Sequence, residues 1–284
     1  MIQLYPFNVD IPIHIVQVGT GGTGSLVAQY VAQQMVTSRI TEIKGILADA
    51  DNIEEKNLRN QYFIKNEIGK KKADVLAKRY SNPFGIDLRS YSEEYIETTD
   101  LLMKLFDSLK VNNKKESIKI LISCVDNNFS RQQFHQFFNE QENIVYIDTG
   151  NDAVDLIKGN PSEKTIKQQE ESGYTGQTVT GLRVKGETIL APVAELYPDV
   201  LTDEDTIAPS DISCDQVIVS QPQRRITNQY SALAVNNMLN FIVNQYLIVN
   251  HHMVFHAKKG YSRAFPVTEE QRQLFNLTNK GIKE

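Results

Sequence analysis

"VQVGTGGTGSLVAQYVAQQM", running from Val16 to Met35, holds four glycines within six positions: Gly19, Gly21, Gly22 and Gly24. The run leading into it, "IPIHIVQVG", is apolar and β-branched, as a buried strand requires. From Ser25 onward, Leu26, Val27, Tyr30, Val31 and Met35 recur on one helical face. Strand, glycine turn and helix in that order bring bare backbone amides and the partial positive charge of a helix N-terminus to one spot, where an anion can sit. The same turn can also serve plain strand-to-helix packing, so the reading needs support from elsewhere in the chain.

That support follows directly. "IKGILADAD" reads as a second strand ending in Asp49-Ala50-Asp51, where a carboxylate can accept hydrogen bonds from ribose hydroxyls. "EIGKKKADVLAKRYS" reads as a helix, "GIDLRSY" as a third strand, "SIKILISC" as a fourth, "NFSRQQFHQFF" as a helix and "NIVYIDTG" as a fifth strand. The alternation predicts an α/β fold, a doubly wound, Rossmann-like, mostly parallel sheet with ligands at the carboxyl ends of its strands. Residues 1–150 form its nucleotide-binding part. Residues 151–284 are expected to supply a polar crossover region, a long helix from Ile226 to Leu247 and terminal strands in "MVFHAKK" and "YSRAFPV", completing one domain.

Composition narrows the partners. A formal charge of −5 gives no broad basic footprint, so nucleic acid is not the expected partner. Cys124 and Cys214 form no CxxC pair, which argues against a disulfide framework and a cysteine-built zinc site and suits a reducing cytoplasm. The N-terminus has neither the basic region nor the apolar core of a signal peptide. Between Ala232 and Val249 the most apolar long segment carries Asn236, Asn237, Asn240, Asn244 and Gln245, too many amides for a membrane span.

Further motifs make the pattern specific. Gly19-x-Gly21-Gly22-x-Gly24-Ser25, Asp49-x-Asp51, Asn57-Leu58-x-x-Gln61, Gly69-x-x-Lys72-Ala73 and Asp126-Asn127 stand in the order and at about the spacing found in the ThiF/MoeB/HesA adenylyltransferases, relatives of ubiquitin-activating enzymes, which this chain resembles. "IDTGN", "TGQTVTG" and an "SC" before the long helix resemble, more narrowly, the PRTRC-type ThiF branch of plasmid and phage-type systems. The resemblance implies ATP with magnesium as cofactors. It also implies a small ubiquitin-like or sulfur-carrier protein as partner, whose C-terminal glycine carboxylate attacks the α-phosphorus and releases pyrophosphate. It places the glycines, Asp49, Asp51, Asn57, Gln61, Lys72 and Asn127 around the nucleotide. Lys72, Asn57 and Arg59 are expected to act on the phosphates and Asp126 to hold magnesium, although Asp126 read alone would as readily cap the following helix.

The chain departs from the family where N-L-x-R-Q is expected. Asn60 stands at the arginine position and Arg59 one residue early, a shift of about 100° if the segment is helical. The short stretch before the first strand also leaves little room for the helix that in MoeB-like dimers lends an arginine to its neighbour, so Arg131, or the pair Arg224 and Arg225, is a candidate replacement. Cys124 reads as a small buried hydrophobe, whereas Cys214, in the crossover, is either the acceptor of a thioester or a packing residue. His14, His135 and the pair His251-His252, expected to close the long helix, read as packing or capping residues, and Phe134, Phe137 and Phe138 as core. A homodimer is expected, with Tyr230, Leu233, Leu239 and Ile242 as its apolar face. Two other readings share the glycine loop. A degenerate, non-catalytic relative would explain Asn60, and an NAD-dependent oxidoreductase would leave Asn57, Lys72 and Asp126 without a role.

Overall fold

The computed structural model describes residues 1–110, 116–155, 157, 162–202, 208–211 and 223–279. The first half alternates as expected: β1 (Ile2–Gln3), β2 (Ile13–Val18), α1 (Gly24–Thr37), β3 (Ile43–Ala48), α2 (Lys72–Phe84), β4 (Asp87–Tyr91), α3 (Thr99–Leu109), β5 (Ile118–Ser123), α4 (Asn128–Glu140) and β6 (Ile144–Asn151). It continues with α5 (Glu163–Glu171), β7 (Thr175–Val184), β8 (Glu187–Leu190) and the short α6 (Val193–Leu196) and α7 (Asp199–Thr202). Last come α8 (Arg225–Gln245), β9 (Leu247–Ile248), β10 (Asn250–His256), β11 (Tyr261–Pro266) and α9 (Glu269–Asn279).

One sheet runs through both halves in the order β11-β10-β7-β6-β5-β2-β3-β4, with β8 hydrogen-bonded to β7. The strands from β4 to β6 are parallel, and β7, β10 and β11 extend them antiparallel. Because β2 pairs β3 on one side and β5 on the other, the connections leaving β2 and β5 diverge and open a crevice at their carboxyl ends. Alternation along β2 feeds both layers. Ile13 and Ile15 pack in a cluster with Val27, Leu76 and Val235, and Val16 and Val18 in a second one with Phe106, Phe134 and Phe137. Phe134, Phe137 and Phe138 of α4 are fully buried, as their sequence pattern predicts, while Phe129, at its first turn, is half-buried.

Several elements differ from expectation. The second strand stops at Ala48, so Asp49–Asp51 lies in the loop beyond it, and the helix expected from Glu67 begins only at Lys72. Gly69 adopts φ +85°, and Lys71, at the N-cap, is extended, which ends any earlier turn. Lys71 is half-buried and donates to the Ala50 carbonyl at 2.5 Å. Helices α3, α5 and α9 were not foreseen. Helix α3 carries a readable signal, with Leu102, Leu105, Phe106 and Leu109 buried and Thr98 accepting from the Leu101 amide at 3.2 Å. By contrast α5 buries no residue and α9 only Phe275, so neither has an apolar stripe to detect.

Helix α8 corrects the expected dimer face. Leu239 and Ile242 are fully buried in the core, and of the apolar residues named there Leu233 is the one left exposed, at 57%. The amides that argued against a membrane span bind α8 to α1: Gln34 donates to Asn236 at 3.0 Å and accepts from Asn244 at 2.8 Å. His251 and His252 lie in β10 rather than at a helix end, because α8 stops at Tyr246, which takes a left-handed φ of 54°. Among the described residues, no helix is long and apolar enough to cross a membrane.

Candidate functional site

The glycine loop closes β2 onto α1. Gly19 has φ +88°, and a Cβ there would lie 2.7 Å from the Cys124 carbonyl oxygen. A Cβ on Gly24 would lie 2.1 Å from the carbonyl oxygen of Gly19, so these two glycines let the turn fold back on itself. Gln17, fully buried within β2, clasps the turn by donating Nε2 to the carbonyls of Gly19 at 3.0 Å and Gly24 at 2.8 Å. Gly22 lies against the side-chain amide of Asn228, while Gly21 faces space, its nearest neighbour being Gln61 Nε2 at 3.7 Å from a Cβ placed there. The backbone amides of Gly21, Gly22, Thr23 and Gly24 donate to no group among the described residues. Four successive N–H groups without acceptors at the start of a helix form an anion-binding concavity.

Beside this loop, Asp49 accepts from the backbone and hydroxyl of Thr20 at 2.7 and 2.8 Å through Oδ2, and from the Asp51 amide at 2.9 Å through Oδ1. Most of its acceptor capacity therefore braces the loop. Asp51 meets Lys72 Nζ at 2.7 Å and the Tyr95 hydroxyl at 2.6 Å. Residues 51 and 72 come together through backbone pairing: Lys72 N donates to Asp51 O at 3.0 Å and Ile53 N to Lys70 O at 2.8 Å. Burial lifts the Asp49 carboxyl above its ordinary value. Burial also pushes Asp51 upward, but the Lys72 ammonium and the hydrogen bonds from Lys72 and Tyr95 carry it below. Burial disfavours the charge on Lys72, yet Asp49, Asp51 and Asp126 together hold its pKa above the usual range.

Asp126, in the loop after β5, is exposed and accepts no hydrogen bond among the described residues. The helix cap that it could have formed is made by Asn127, whose side chain accepts from Ser130 N at 2.8 Å, and this leaves the Asp126 carboxylate available to a cation. Asn57 is buried. Its Oδ1 accepts from Glu54 N at 2.7 Å and its carbonyl from Gln61 N at 2.8 Å, shaping the turn that delivers Gln61. Gln61 Oε1 is buried without a partner among the described residues. Arg59 ends the 3₁₀ turn Glu55–Arg59, exposed and without an ion pair among the described residues. Arg131 is paired with the buried Asp148 at 3.3 Å and donates to Val125 O at 2.7 Å, and Arg224 donates to the carbonyls of Ser172 and Gln169, both at 2.8 Å. Cys124, expected to be a buried hydrophobe, is half-buried against the core beneath the loop, and burial of its thiol pushes that group's pKa up. Cys214 lies outside the described residues.

Several residues that build the site were not foreseen. Asn151, at the end of β6, donates Nδ2 to Asn228 Oδ1 at 2.8 Å and to the Thr23 hydroxyl at 3.2 Å, and accepts from Ser231. Nothing local marks Asn228, because its role comes from α8 crossing the loop. Gln17 did carry a signal, the one amide in a strand whose other residues, His14 apart, are apolar. Gln17→Leu is expected to lower the unfolding free energy by about 1–3 kcal/mol, the cost of leaving buried acceptors without their donor, as urea denaturation would measure.

A strand, a glycine loop and a helix at the switch point of a parallel sheet, with unpartnered amides, define a Rossmann-like nucleotide-binding fold. The ThiF family model matches residues 12–180, more than half of the chain, and the chain belongs to the ThiF family. Among solved structures, selenomethionine PaaA is similar at a TM-score of 0.53 and 14% identity, over 90% of this chain and 64% of that one. Escherichia coli MccB with succinimide is similar at a TM-score of 0.52 and 16% identity, again over 90% and 64%. MccB solved with AMPCPP and selenomethionine MccA has the same TM-score, 0.52, at 16% identity, 90% and 64%. This chain thus spans less than two thirds of the length of these neighbours. No match is found among the curated proteins.

Proposed function

We propose that this protein is an ATP-dependent adenylyltransferase that activates the C-terminal carboxylate of a small protein as an acyl-adenylate. The observation that carries the reading is the row of amides from Gly21 to Gly24, free among the described residues, with Lys72 and an Asp126 unpaired among them. In this reading the amides and Lys72 bind the phosphates, Gln61 and Asn127 border the nucleotide, and Asp51 meets the ribose while Asp49 braces Thr20. Asn57 acts by holding the turn that presents Gln61. A carboxylate oxygen of the partner attacks the α-phosphorus, the bond to the α,β-bridging oxygen breaks, and pyrophosphate leaves with the electron pair. Catalysis then rests on positioning and on neutralising phosphate charge. Magnesium, when bound, supplies part of that neutralisation, and Asp126 is the carboxylate that would hold it.

The partner proposed is a ubiquitin-like or sulfur-carrier protein ending in glycine. Family membership supports this, as does the MccB structure containing AMPCPP and MccA. Cys214 is proposed as the thiol that accepts the acyl group in a second step, the working unit as a homodimer and the compartment as the cytoplasm. Titration calorimetry is expected to show magnesium-dependent ATP binding with little NAD binding, and pyrophosphate exchange should appear with a glycine-terminated carrier. Tight NAD binding without ATP heat would move the assignment to an oxidoreductase. ATP binding with no exchange on any carrier would favour a binding protein that has lost the chemistry, the reading that Asn60 and the exposed Arg59 support.

A further inference from the structure

A triphosphate brings several negative charges into a site that is already acidic. Asp49, Asp51 and Asp126 all act on the single ammonium of Lys72, which is closed into an ion pair with Asp51. More positive charge is needed than Lys72 supplies. Three nearby arginines are committed elsewhere: Arg131 to Asp148, Arg224 to backbone carbonyls and Arg79 to Glu67. Arg225, at the first position of α8, meets no carboxylate among the described residues. Its Nη2 lies 3.4 Å from the Tyr62 hydroxyl and its guanidinium 5.2 Å from the centre of that ring.

Two independent connections bring Arg225 to the glycine loop. Tyr62 is seated on the first turn of α1, its amide donating to Ser25 Oγ at 3.4 Å while that hydroxyl donates to the Gly22 carbonyl at 3.4 Å. Asn228, three residues along α8 and so on the same face as Arg225, packs its amide against Gly22. Gln229 fixes the platform by donating to the Tyr62 hydroxyl at 3.0 Å. The guanidinium is thus pre-positioned by an aromatic ring and, among the described residues, left without an anion, while Arg59 has no ion-pair partner among them to hold it.

We infer that Arg225 is the second phosphate-binding cation of this site, reaching the outer phosphates of a bound nucleoside triphosphate from the Tyr62 platform. The inference rests on the nucleotide reading proposed above. It predicts selectivity by phosphate number. Calorimetry with ATP and AMP should find ATP binding weakened about 10- to 100-fold in Arg225→Ala, the span of one hydrogen bond to a charged group, with AMP binding unchanged. Arg225→Lys should fall between, because it keeps charge but loses the planar fork. Arg272→Ala, which removes a guanidinium from α9, should match the wild type.

Unchanged ATP affinity in Arg225→Ala, or loss of ATP binding in Arg59→Ala instead, would overturn the inference while leaving the functional reading standing. Equal weakening of ATP and AMP with a lower melting temperature would also overturn it, by showing a structural role. A wild-type protein that binds no ATP would remove the functional reading and this inference together.

Discussion

Gly24→Ala is expected to lose measurable nucleotide binding and to unfold at lower denaturant, by about 1–3 kcal/mol or more, whereas Gly21→Ala should fold like the wild type. The difference lies in what each added methyl meets. At Gly24 it meets the Gly19 carbonyl oxygen at 2.1 Å, a backbone atom held by the Gln17 clasp, so relief requires the turn itself to open. At Gly21 it meets a side-chain nitrogen of Gln61 at 3.7 Å, an ordinary contact, and stability should stay within about 0.5 kcal/mol. Gly21 carries the first of the free amides, so a side chain there should crowd a bound anion and ATP affinity should fall without a change in melting. Thermal melts beside calorimetric titrations separate the two effects. Equal destabilisation by both substitutions would show that the loop is read wrongly as an open cradle at Gly21.

Lys72→Ala and Asp126→Ala should each lower adenylation by about two to three orders of magnitude, as loss of one electrostatic stabiliser does, yet should part company in stability. Lys72 is 6% exposed and its removal leaves Asp49 and Asp51 side by side without their counter-charge. A cost of about 1–3 kcal/mol follows, below that of a fully interior pair because the Asp51 side chain is 43% exposed. Asp126 is exposed and unpaired among the described residues, so its removal should leave the melting temperature in place. Pyrophosphate exchange and a denaturant titration on each variant provide the comparison. Undiminished exchange in Asp126→Ala would remove it as the metal carboxylate.

How far the sequence could be read depended on distance along the chain. The strands β2, β5 and β6 announce themselves because both faces are largely buried, giving runs rich in apolar and β-branched residues. The glycine loop, the Asp49–Asp51 stretch and Lys72 were legible as motifs, but the arrangement of the two carboxylates was not, because it depends on Thr20 and on Tyr95 arriving from a separate loop. Asn127 rather than Asp126 takes the cap, a choice between adjacent residues that composition cannot make. Arg225 was one of three candidate arginines. Arg131 and Arg224 fell away only once their partners were visible in space. His251 was misread because an amide-rich helix and a strand meet without a glycine or proline between them, the chain turning at Tyr246 instead.

The passage of α8 over the glycine loop has a consequence for synthesis. Asn228 packs on Gly22, and the Tyr246 hydroxyl bonds to both the amide and the carbonyl of Ile11, so the strand and loop that open the chain are completed by residues made more than 200 positions later. A ribosome that has delivered the first 150 residues has delivered every nucleotide motif but none of the helix that covers them. Helix α1 packs on α8, and that part of its cover arrives only when α8 emerges from the exit tunnel. In the nucleotide reading proposed above, the glycine loop, Asp49–Asp51, Lys72 and Asp126 are therefore all synthesised well before α8 can close over them, and the nucleotide would be a ligand of the finished protein rather than a guide for its early folding.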